Sequence, residues 1–316
     1  MVDLDALVNA VVRGERRALS RALRWVDERP SLGRELAHRL FVHRRGAQVI
    51  GLTGNPGAGK STVVDVLIAR LRAAGQRVAV LAVDPSSPFS GGAILGDRIR
   101  MSRHALDDGV FVRSLATRGA LGGLSRATFD SVRVLDAAGF DVVLVETVGV
   151  GQDEVDVARL ADTTVVVLVP GLGDDVQALK AGLLEVADIF LINKADRPGV
   201  LEVERSLHQM LALSSATDGW QPPILKSIAL REEGIADLVA ALRSHRQFLG
   251  GPEGARRRGR QAIEVFDRLL DAALVERGRR QLGGSVDAAQ ARVEQPGTDP
   301  YGEVLKLLAS FESPPS

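Results

Sequence analysis

The run Gly54–Ser61 has the residue types and spacing of a loop that binds phosphate groups. Its residues fit the pattern G-x-x-x-x-G-K-[ST] without a mismatch and are followed by Thr62: Gly54, Asn55, Pro56, Gly57, Ala58, Gly59, Lys60 and Ser61. Glycines let successive backbone N–H groups converge on phosphate oxygens, and a helix that begins there adds partial positive charge. Lys60 can then reach the β- and γ-phosphates, and the Ser61 hydroxyl can bind Mg²⁺. The run predicts a nucleoside triphosphate site, and the complete pattern disfavours an ordinary glycine-rich turn.

The tetrapeptide Asn193-Lys194-Ala195-Asp196 indicates which base the nucleotide carries. The Asp196 carboxylate can accept hydrogen bonds from N1–H and from the exocyclic amine of guanine, whereas adenine has no N1–H to donate. The Lys194 stem can cover the base, and Asn193 can tie neighbouring loops together. The tetrapeptide follows a predicted apolar strand, where loops of α/β sheets bind ligands. It predicts a guanine site, with an arbitrary surface turn as the alternative.

Three carboxylates are candidate partners of a metal ion near the phosphate loop. Asp84 and Glu146 each end a predicted strand. Asp97 lies in a glycine-containing segment and is a candidate for binding metal or positioning water. Mg²⁺ prefers carboxylate, hydroxyl, water and phosphate oxygens. Gly149 could offer its backbone N–H to the γ-phosphate, since no side chain blocks the approach. Solvated loop acids are the alternative for the three carboxylates.

The elements that must position these residues alternate between strands and helices. Apolar runs of about four to eight residues, separated by helical patterns, indicate a mostly parallel sheet covered on both faces. The predicted fold class is α/β, a P-loop NTPase domain over 46–249. A helical N-terminal extension is predicted over 1–45, and a helical C-terminal arm over 250–316. Gly250–Gly254 is predicted to be the linker that opens the arm.

Composition narrows the classes of partner. The 316 residues carry 40 Lys+Arg and 40 Asp+Glu, so no net charge draws the chain to nucleic acid or to anionic lipid. An arginine cluster at 256–260 could bind nucleic acid, but a solvated helix start is favoured because no aromatic residues are interleaved. Cysteine is absent, which excludes disulfides and thiolate metal sites. The acidic start and the short apolar runs predict a cytoplasmic protein with no membrane segment.

Four further runs, taken with the phosphate loop, resemble those of a known family. They are V-D-P-S-S at 83–87, G-G-A-I-L-G-D at 91–97, E-T-V-G-V-G-Q at 146–152 and N-K-A-D at 193–196. In this order they resemble the MeaB/ArgK family of G proteins, over nearly the whole chain. Members of that family chaperone the adenosylcobalamin-dependent methylmalonyl-CoA mutase. The resemblance implies a Mg²⁺-dependent GTPase that binds GTP and GDP and partners a B12-dependent acyl-CoA mutase.

The resemblance also assigns roles to the candidate residues. Residues 54–62 would hold the phosphates. The base would be selected by Asn193, Lys194 and Asp196, with Ser227 and Ile228 standing where guanine sites commonly have Ser-Ala. The magnesium ligands would be Ser61, Asp84, Asp97 and Glu146. The catalytic residues would be Lys60, Asp97, Glu146 and Gly149.

Two further segments gain an interpretation from the family. Residues 170–180 resemble a loop through which these proteins sense the mutase. The family forms homodimers through C-terminal helices, which would cover the apolar face near Phe266 and Leu270. Val150 stands where small GTPases carry a catalytic glutamine, so intrinsic hydrolysis should be slow and dependent on the partner.

Two other functions remain as alternatives from the sequence. Older descriptions of the family make its members ATPases or kinases of an arginine/ornithine transport system, and such an enzyme would need adenine specificity and an acceptor site. A nickel metallochaperone of the hydrogenase or urease type is the other alternative. Such chaperones carry His/Cys metal sites, whereas this chain has no cysteine and five histidines.

Overall fold

Seven parallel strands form one sheet in the described part of the chain. The computed structural model describes residues 3–84, 102–116, 126–147, 153–171, 186–213 and 219–312. The strands are β1 (Gln48–Thr53), β2 (Val78–Asp84), β3 (Val110–Ala116), β4 (Val142–Thr147), β5 (Thr163–Leu168), β6 (Ile189–Asn193) and β7 (Ile224–Ser227). Their order across the sheet is β3-β2-β4-β1-β5-β6-β7, and each pairing is parallel. The predicted α/β class with a mostly parallel sheet is confirmed.

Helices cover both faces of this sheet. They are α1 (Leu4–Val12), α2 (Arg16–Glu28), α3 (Pro30–Leu40), α4 (Lys60–Ala73), α5 (Arg126–Ala137), α6 (Asp153–Leu160), α7 (Val200–Leu213) and α8 (Ile235–Leu249). Helices α1–α3, α5 and α6 share one apolar cluster with Val143 and Val145, and α4 and α8 share another with Ile50 and Leu52. Successive strand residues face opposite sides, so a sheet covered on both sides favours apolar residues on both faces of its central strands. This explains why most residues of β1, β4, β5 and β6 are apolar.

Strand β1 lies between β4 and β5 and leads directly into the phosphate-loop sequence. Leu52 pairs with Glu146 across the β1–β4 ladder, so the carboxyl ends of both strands meet at one edge of the sheet. Gly51 allows α6 to approach closely, since a Cβ atom there would lie 2.4 Å from Val157 Cγ1. Sequence reasoning did not predict α6. The site residues therefore depend on a packing contact that the motifs do not reveal.

The amino-terminal end of β6 is fixed by a buried ion pair. Asp188 directly precedes β6, and its two carboxylate oxygens accept hydrogen bonds from Arg257 Nη1 at 2.5 Å and Nη2 at 2.9 Å. Its Oδ2 also accepts from the Thr164 backbone N–H at 2.8 Å. His245 lies beside this pair, and burial lowers the pKa of its imidazole. Because β6 carries Asn193 at its other end, this pair helps to set the position of the base-site sequence.

The chain forms two compact units, Met1–Arg258 and Gly259–Ser316. Helix α9 (Pro252–Leu282) begins in the first unit and continues into the second. The prediction of a linker over 250–254 is therefore wrong from Pro252 onward, because α9 begins at that residue. Proline is favoured at the first position of a helix. The predicted domain boundaries after residues 45 and 249 stay predictions.

The second unit contains the rest of α9, α10 (Gly284–Val293) and α11 (Pro300–Glu312). The Glu303 carboxylate joins α10 to α11, with Arg292 Nη2 at 2.6 Å and Lys306 Nζ at 2.7 Å. Hydrogen bonds from these two cations lower the pKa of Glu303.

Ile263 and Phe266 are exposed on α9. Among the described residues, every helix is too short or too polar to span a bilayer.

We predict that Arg257→Ala lowers the free energy of unfolding of the chain by roughly 3 kcal/mol or more, because it leaves the buried Asp188 carboxylate without its cation. Arg256→Ala is the matched control. Its partner Glu253 and Arg256 itself are exposed, so that pair is worth about 1 kcal/mol or less. Denaturant titration of both variants measures the difference. Equal losses in the two variants would contradict a stabilising role for the Arg257–Asp188 pair.

Candidate nucleotide-binding site

The loop between β1 and α4 requires glycine at two positions for different reasons. Gly54 has a φ of +129°, and a Cβ atom there would lie 2.1 Å from the Val167 carbonyl oxygen. Gly59 has a φ of +88°, and its Cβ atom would lie 2.5 Å from Asn193 Nδ2. Residues with side chains rarely adopt either conformation. The two glycines therefore allow the loop to pass close to β5 and to the base-site sequence.

Lys60 is folded back over its own loop. Its Nζ atom donates to the carbonyl oxygen of Gly54 at 2.6 Å and to that of Asn55 at 3.0 Å. The side chain is buried, with 5% of the residue exposed. Since Lys60 is the first residue of α4, its ammonium group lies where the helix dipole also places positive charge. The arrangement concentrates positive charge in the loop and suits an anion.

Ser61 and Glu146 are in direct contact at the carboxyl edge of the sheet. The Ser61 hydroxyl donates to Glu146 Oε1 at 2.6 Å, and both residues are buried. Hydroxyl and carboxylate oxygens are among the ligands that Mg²⁺ prefers, so the pair fits the predicted metal site. Within the described ranges, no group of three or more His, Asp or Glu side chains could hold a metal ion by itself.

The structure describes only part of the remaining predicted metal and catalytic residues. Asp84 is the last residue of β2, one position beyond the Val83–Thr147 pair, so its backbone is at the same edge as Glu146. Asp97 and Gly149 lie outside the described residues, as do residues 172–180 of the predicted mutase-sensing loop. Their roles stay predictions.

Asn193 joins three segments that are distant in sequence. Its Nδ2 donates to the Ala58 carbonyl oxygen at 2.9 Å. Its Oδ1 accepts from Ser227 Oγ at 3.2 Å and from the Ala229 backbone N–H at 3.1 Å. The side chain is buried, so these bonds form away from competing water. The amide holds the phosphate-loop sequence, the end of β6 and the segment after β7 in one arrangement.

Lys194 and Asp196 follow Asn193 and are more exposed than it is. Lys194 has a φ of +56°, and its Nζ donates to the Gly57 carbonyl oxygen at 2.7 Å, so its stem extends towards the phosphate loop. The Asp196 carboxylate is partly exposed, and Arg231 Nη2 lies 3.9 Å from its Oδ2. An accessible carboxylate beside a loop of this type can accept hydrogen bonds from a ligand.

These residues surround a cavity of about 740 Å³, large enough for a nucleotide. The predicted residues that line it are Pro56, Gly57, Gly59, Lys60, Ser61, Thr62, Glu146, Asn193, Lys194, Asp196 and Ile228. Gly54, Asn55, Ala58 and Ser227 do not line the cavity but bond to residues that do. Two separate sequence motifs thus share one cavity.

A family model described as the methylmalonyl-CoA mutase-associated GTPase MeaB matches residues 19–281. The chain belongs to the MeaB family. It is a GTP hydrolase of the P-loop type, as the family and its named relatives support. The MeaB/ArgK resemblance found from the motifs is confirmed.

Similar proteins agree with this family across the chain. A Pyrococcus abyssi protein named as a GTPase is 46% identical over 313 residues, covering 96% of each chain. The GTPase ArgK of Escherichia coli is 40% identical over 253 residues, covering 77% of this chain and 76% of its own. A solved structure described as an LAO/AO transport system kinase has a TM-score of 0.71 at 26% identity, covering 99% of this chain and 100% of its own.

Sequence reasoning missed five residues that line the cavity of this MeaB protein. They are Thr147, Arg197, Ala229, Leu230 and Arg231. Thr147 and Arg197 directly follow the predicted residues Glu146 and Asp196, so their positions in the sequence could have indicated that they belong to the site. The other three form a 3₁₀ turn after β7, and nothing in their types marks them as part of a nucleotide site. Only the path of the chain brings them there.

We predict that Gly59→Ala weakens GDP binding on the order of tenfold more than Gly57→Ala. Both glycines have positive φ in the same loop, so both variants carry a left-handed strain of about 1 kcal/mol. At Gly57 the new Cβ meets nothing within 4 Å, whereas at Gly59 it displaces Asn193. Isothermal titration with GDP measures both variants. Similar affinities for the two would show that the Gly59–Asn193 contact does not support binding.

Proposed function

We propose that this GTPase is a guanine-nucleotide switch that chaperones an adenosylcobalamin-dependent acyl-CoA mutase such as methylmalonyl-CoA mutase. The observation that carries the proposal is the family match over residues 19–281, whose description names association with that mutase. In this proposal the nucleotide state of the chain gates loading or protection of the mutase cofactor. Binding and hydrolysis of GTP supply the two states that such a switch needs.

The proposed nucleotide position follows the cavity from the phosphate loop to Asp196. Residues 54–62 would hold the phosphates, with the Lys60 ammonium leaving the carbonyl groups of its own loop to bind β- and γ-phosphate oxygens. The base would lie at Asn193, Lys194 and Asp196, with Ser227 and Ile228 behind it. Residues of both motifs line the same cavity, which supports this direction.

Mg²⁺, when bound, would neutralise charge on the β- and γ-phosphates. Ser61 and Glu146 would hold it, because their oxygens already meet at 2.6 Å next to Lys60. Asp84 and Asp97 are further candidate ligands of this ion. The Ser61 hydroxyl donates to Glu146 here, so its proton must turn away before its oxygen can act as a ligand.

Hydrolysis transfers the γ-phosphoryl group to water, breaks its bond to the β-phosphate oxygen and leaves GDP and phosphate. The chain's part is positioning and charge stabilisation, by Lys60 and by the proposed Gly149 backbone N–H. Glu146 and Asp97 are the candidates for orienting the attacking water. Val150 offers no side-chain hydrogen bond to that water. We therefore expect slow hydrolysis that the mutase accelerates.

A homodimer through the C-terminal helices is part of the proposal. Ile263, Phe266, Leu270 and Leu274 recur every three or four residues along α9, which places them on one face. All four are exposed in the single chain. Exposed apolar stripes of this kind are usual at interfaces between helices, and a second copy of α9 offers the matching stripe.

A nucleotide-dependent kinase or ATPase linked to arginine/ornithine transport is the second candidate. The solved structure described as an LAO/AO transport system kinase, which resembles this chain over its whole length, is the observation in its favour. A kinase would pass the phosphoryl group to an acceptor other than water, and an ATPase would require adenine specificity. The open carboxylate of Asp196 favours guanine and therefore the first candidate.

We predict that the chain binds an adenosylcobalamin-dependent acyl-CoA mutase at least roughly tenfold more tightly in one nucleotide state than in the other, which is about 1.4 kcal/mol of coupling. Titration calorimetry with purified methylmalonyl-CoA mutase would compare a non-hydrolysable GTP analogue, GDP and no nucleotide. Lys60→Ala, which should lose nucleotide affinity, should also lose the dependence.

Mutase binding that is absent, or equal in all three conditions, would contradict the chaperone proposal. The chain alone, incubated with arginine or ornithine and with GTP or ATP labelled at the γ-phosphate, tests the second candidate. Label that appears in the amino acid rather than in inorganic phosphate would favour the kinase.

A further inference from the structure

Three aspartates make the same two-bond contact at the amino-terminal edge of the sheet, opposite the nucleotide cavity. Asp141, Asp162 and Asp188 directly precede β4, β5 and β6. In each case the aspartate N–H donates to the carbonyl oxygen of a residue on the adjacent segment, and Oδ2 of the same aspartate accepts from that residue's N–H. We call each such two-bond contact an aspartate clamp.

Two of the aspartate clamps lie on the strands that lead to the phosphate loop and to the base-site sequence. Asp162 bonds to Val49 of β1, and both bonds are 2.8 Å long. Asp188 bonds to Thr164 of β5, at 2.9 Å from its N–H and at 2.8 Å to its Oδ2. These two clamps therefore connect β1 to β5 and β5 to β6.

The third aspartate clamp connects the other side of the sheet to the same strands. Asp141 bonds to Arg77, which directly precedes β2, at 2.9 Å from its N–H and at 2.7 Å to its Oδ2. The Asp141 carbonyl oxygen also accepts from the Gln48 N–H of β1 at 2.9 Å. Bonds at one edge therefore join β2, β4, β1, β5 and β6, which are adjacent in that order.

The register of these strands needs such contacts because both faces of the sheet are covered. Every residue of β1, β4, β5 and β6 is buried. Slipping a strand by one residue exchanges its two faces, which is costly when one face is apolar and the other is polar. Where both faces are buried and mostly apolar, that penalty is smaller. A bond that only one register can form then decides between the alternatives.

The aspartate clamps lie at a constant distance in sequence from residues of the nucleotide site. Five residues separate the members of each of these pairs: Val49 and Gly54, Asp141 and Glu146, and Asp188 and Asn193. Because a strand rises by about 3.3 Å per residue, the three site residues lie at the same height along the sheet, roughly 16 Å from the clamps. The register set at one edge therefore determines which residues meet at the other.

We propose that Asp162 and Asp188 are positioning residues of the nucleotide site, which set the distance between the phosphate loop on β1 and the base-site sequence on β6. The inference rests on the proposed guanine site, to which it adds two residues that do not line the cavity. They act on the ligand only through the strands that follow them. A nucleotide that spans both motifs depends on this distance.

Asp162 is the better of the two residues to substitute. Asp188 also binds the buried Arg257, so its removal would break an ion pair together with the clamp. Burial raises the pKa of the Asp162 carboxyl, so keeping its charge costs free energy. An amide at this position keeps an oxygen that can accept the Val49 N–H without that cost.

The test measures the affinity of Asp162→Asn, Asp162→Ser and Asp162→Ala for GDP and for IDP, which lacks the exocyclic amine of guanine, by titration calorimetry. Asp162→Asn should bind both like the wild type. Asp162→Ala should bind GDP on the order of tenfold more weakly, with a GDP:IDP ratio closer to one, because the amine no longer meets Asp196. Asp162→Ser, with a shorter side chain, should be intermediate.

Asp107→Ala is the matched control. The Asp107 Oδ1 accepts from the Gly109 N–H at 2.7 Å, directly before β3 at the edge of the sheet. It is therefore also a carboxylate bonded to a backbone N–H, but β3 carries no residue of the proposed site. Both alanine variants should lower the melting temperature of the nucleotide-free protein. The control should keep the wild-type affinity for GDP and the wild-type GDP:IDP ratio.

A folded Asp162→Ala protein with the wild-type GDP affinity and GDP:IDP ratio would overturn the inference, since the aspartate would then contribute only stability. Asp162→Asn that binds as weakly as Asp162→Ala would also overturn it, because charge rather than the bond to Val49 would matter. If Asp162→Ala fails to fold, Asp162→Ser against Asp162→Asn decides. A wild type that binds GDP and IDP equally contradicts the guanine proposal, and the positioning role is then judged on GDP affinity alone, against Asp107→Ala.

Discussion

The nucleotide cavity depends on one buried amide side chain. Asn193 bonds to the Ala58 carbonyl oxygen on one side and to Ser227 Oγ and the Ala229 N–H on the other. A buried polar group that loses its partner costs about 1–3 kcal/mol, so the three contacts stabilise one arrangement strongly. The amide needs a neighbour with no side chain, which explains Gly59. It also needs β6 to end at the level of the phosphate loop, and the parallel register provides this.

The charged groups of the site lie next to the segments that Asn193 holds together. Lys60 bonds to two carbonyl oxygens of its own loop, Lys194 bonds to a third, and Ser61 bonds to Glu146. These are the same groups that the proposed function assigns to phosphates and Mg²⁺. Binding of GTP would exchange their present contacts for contacts with phosphate and metal. A switch requires this kind of exchange, since a ligand shifts a conformation only through contacts that differ between the two states.

The sequence predicts the parts of the site that are local in the chain. The phosphate loop and the tetrapeptide ending at Asp196 are short runs whose chemistry can be inferred from residue types, and the apolar strands mark the sheet. Leu230 carries no such signal, because its place in the cavity wall depends on the turn at Gly234 and on the bond from Ala229 to Asn193. Helix α6 was missed for a similar reason, because the close packing at Gly51 is a tertiary contact that periodicity does not report. The start of α9 at Pro252 was missed although proline at the first helical position is a local signal.

The most direct test of the central claim is an exchange of base preference by Asp196→Asn. Xanthine has a carbonyl oxygen where guanine has its exocyclic amine, so an amide at position 196 can donate to that oxygen and accept from N1–H. Titration calorimetry should show that the wild type prefers GDP over XDP and that the variant prefers XDP, with each preference roughly tenfold to a hundredfold. A variant that still prefers GDP, or a wild type that binds the two nucleotides equally, would contradict a base site built on Asn193 and read by Asp196.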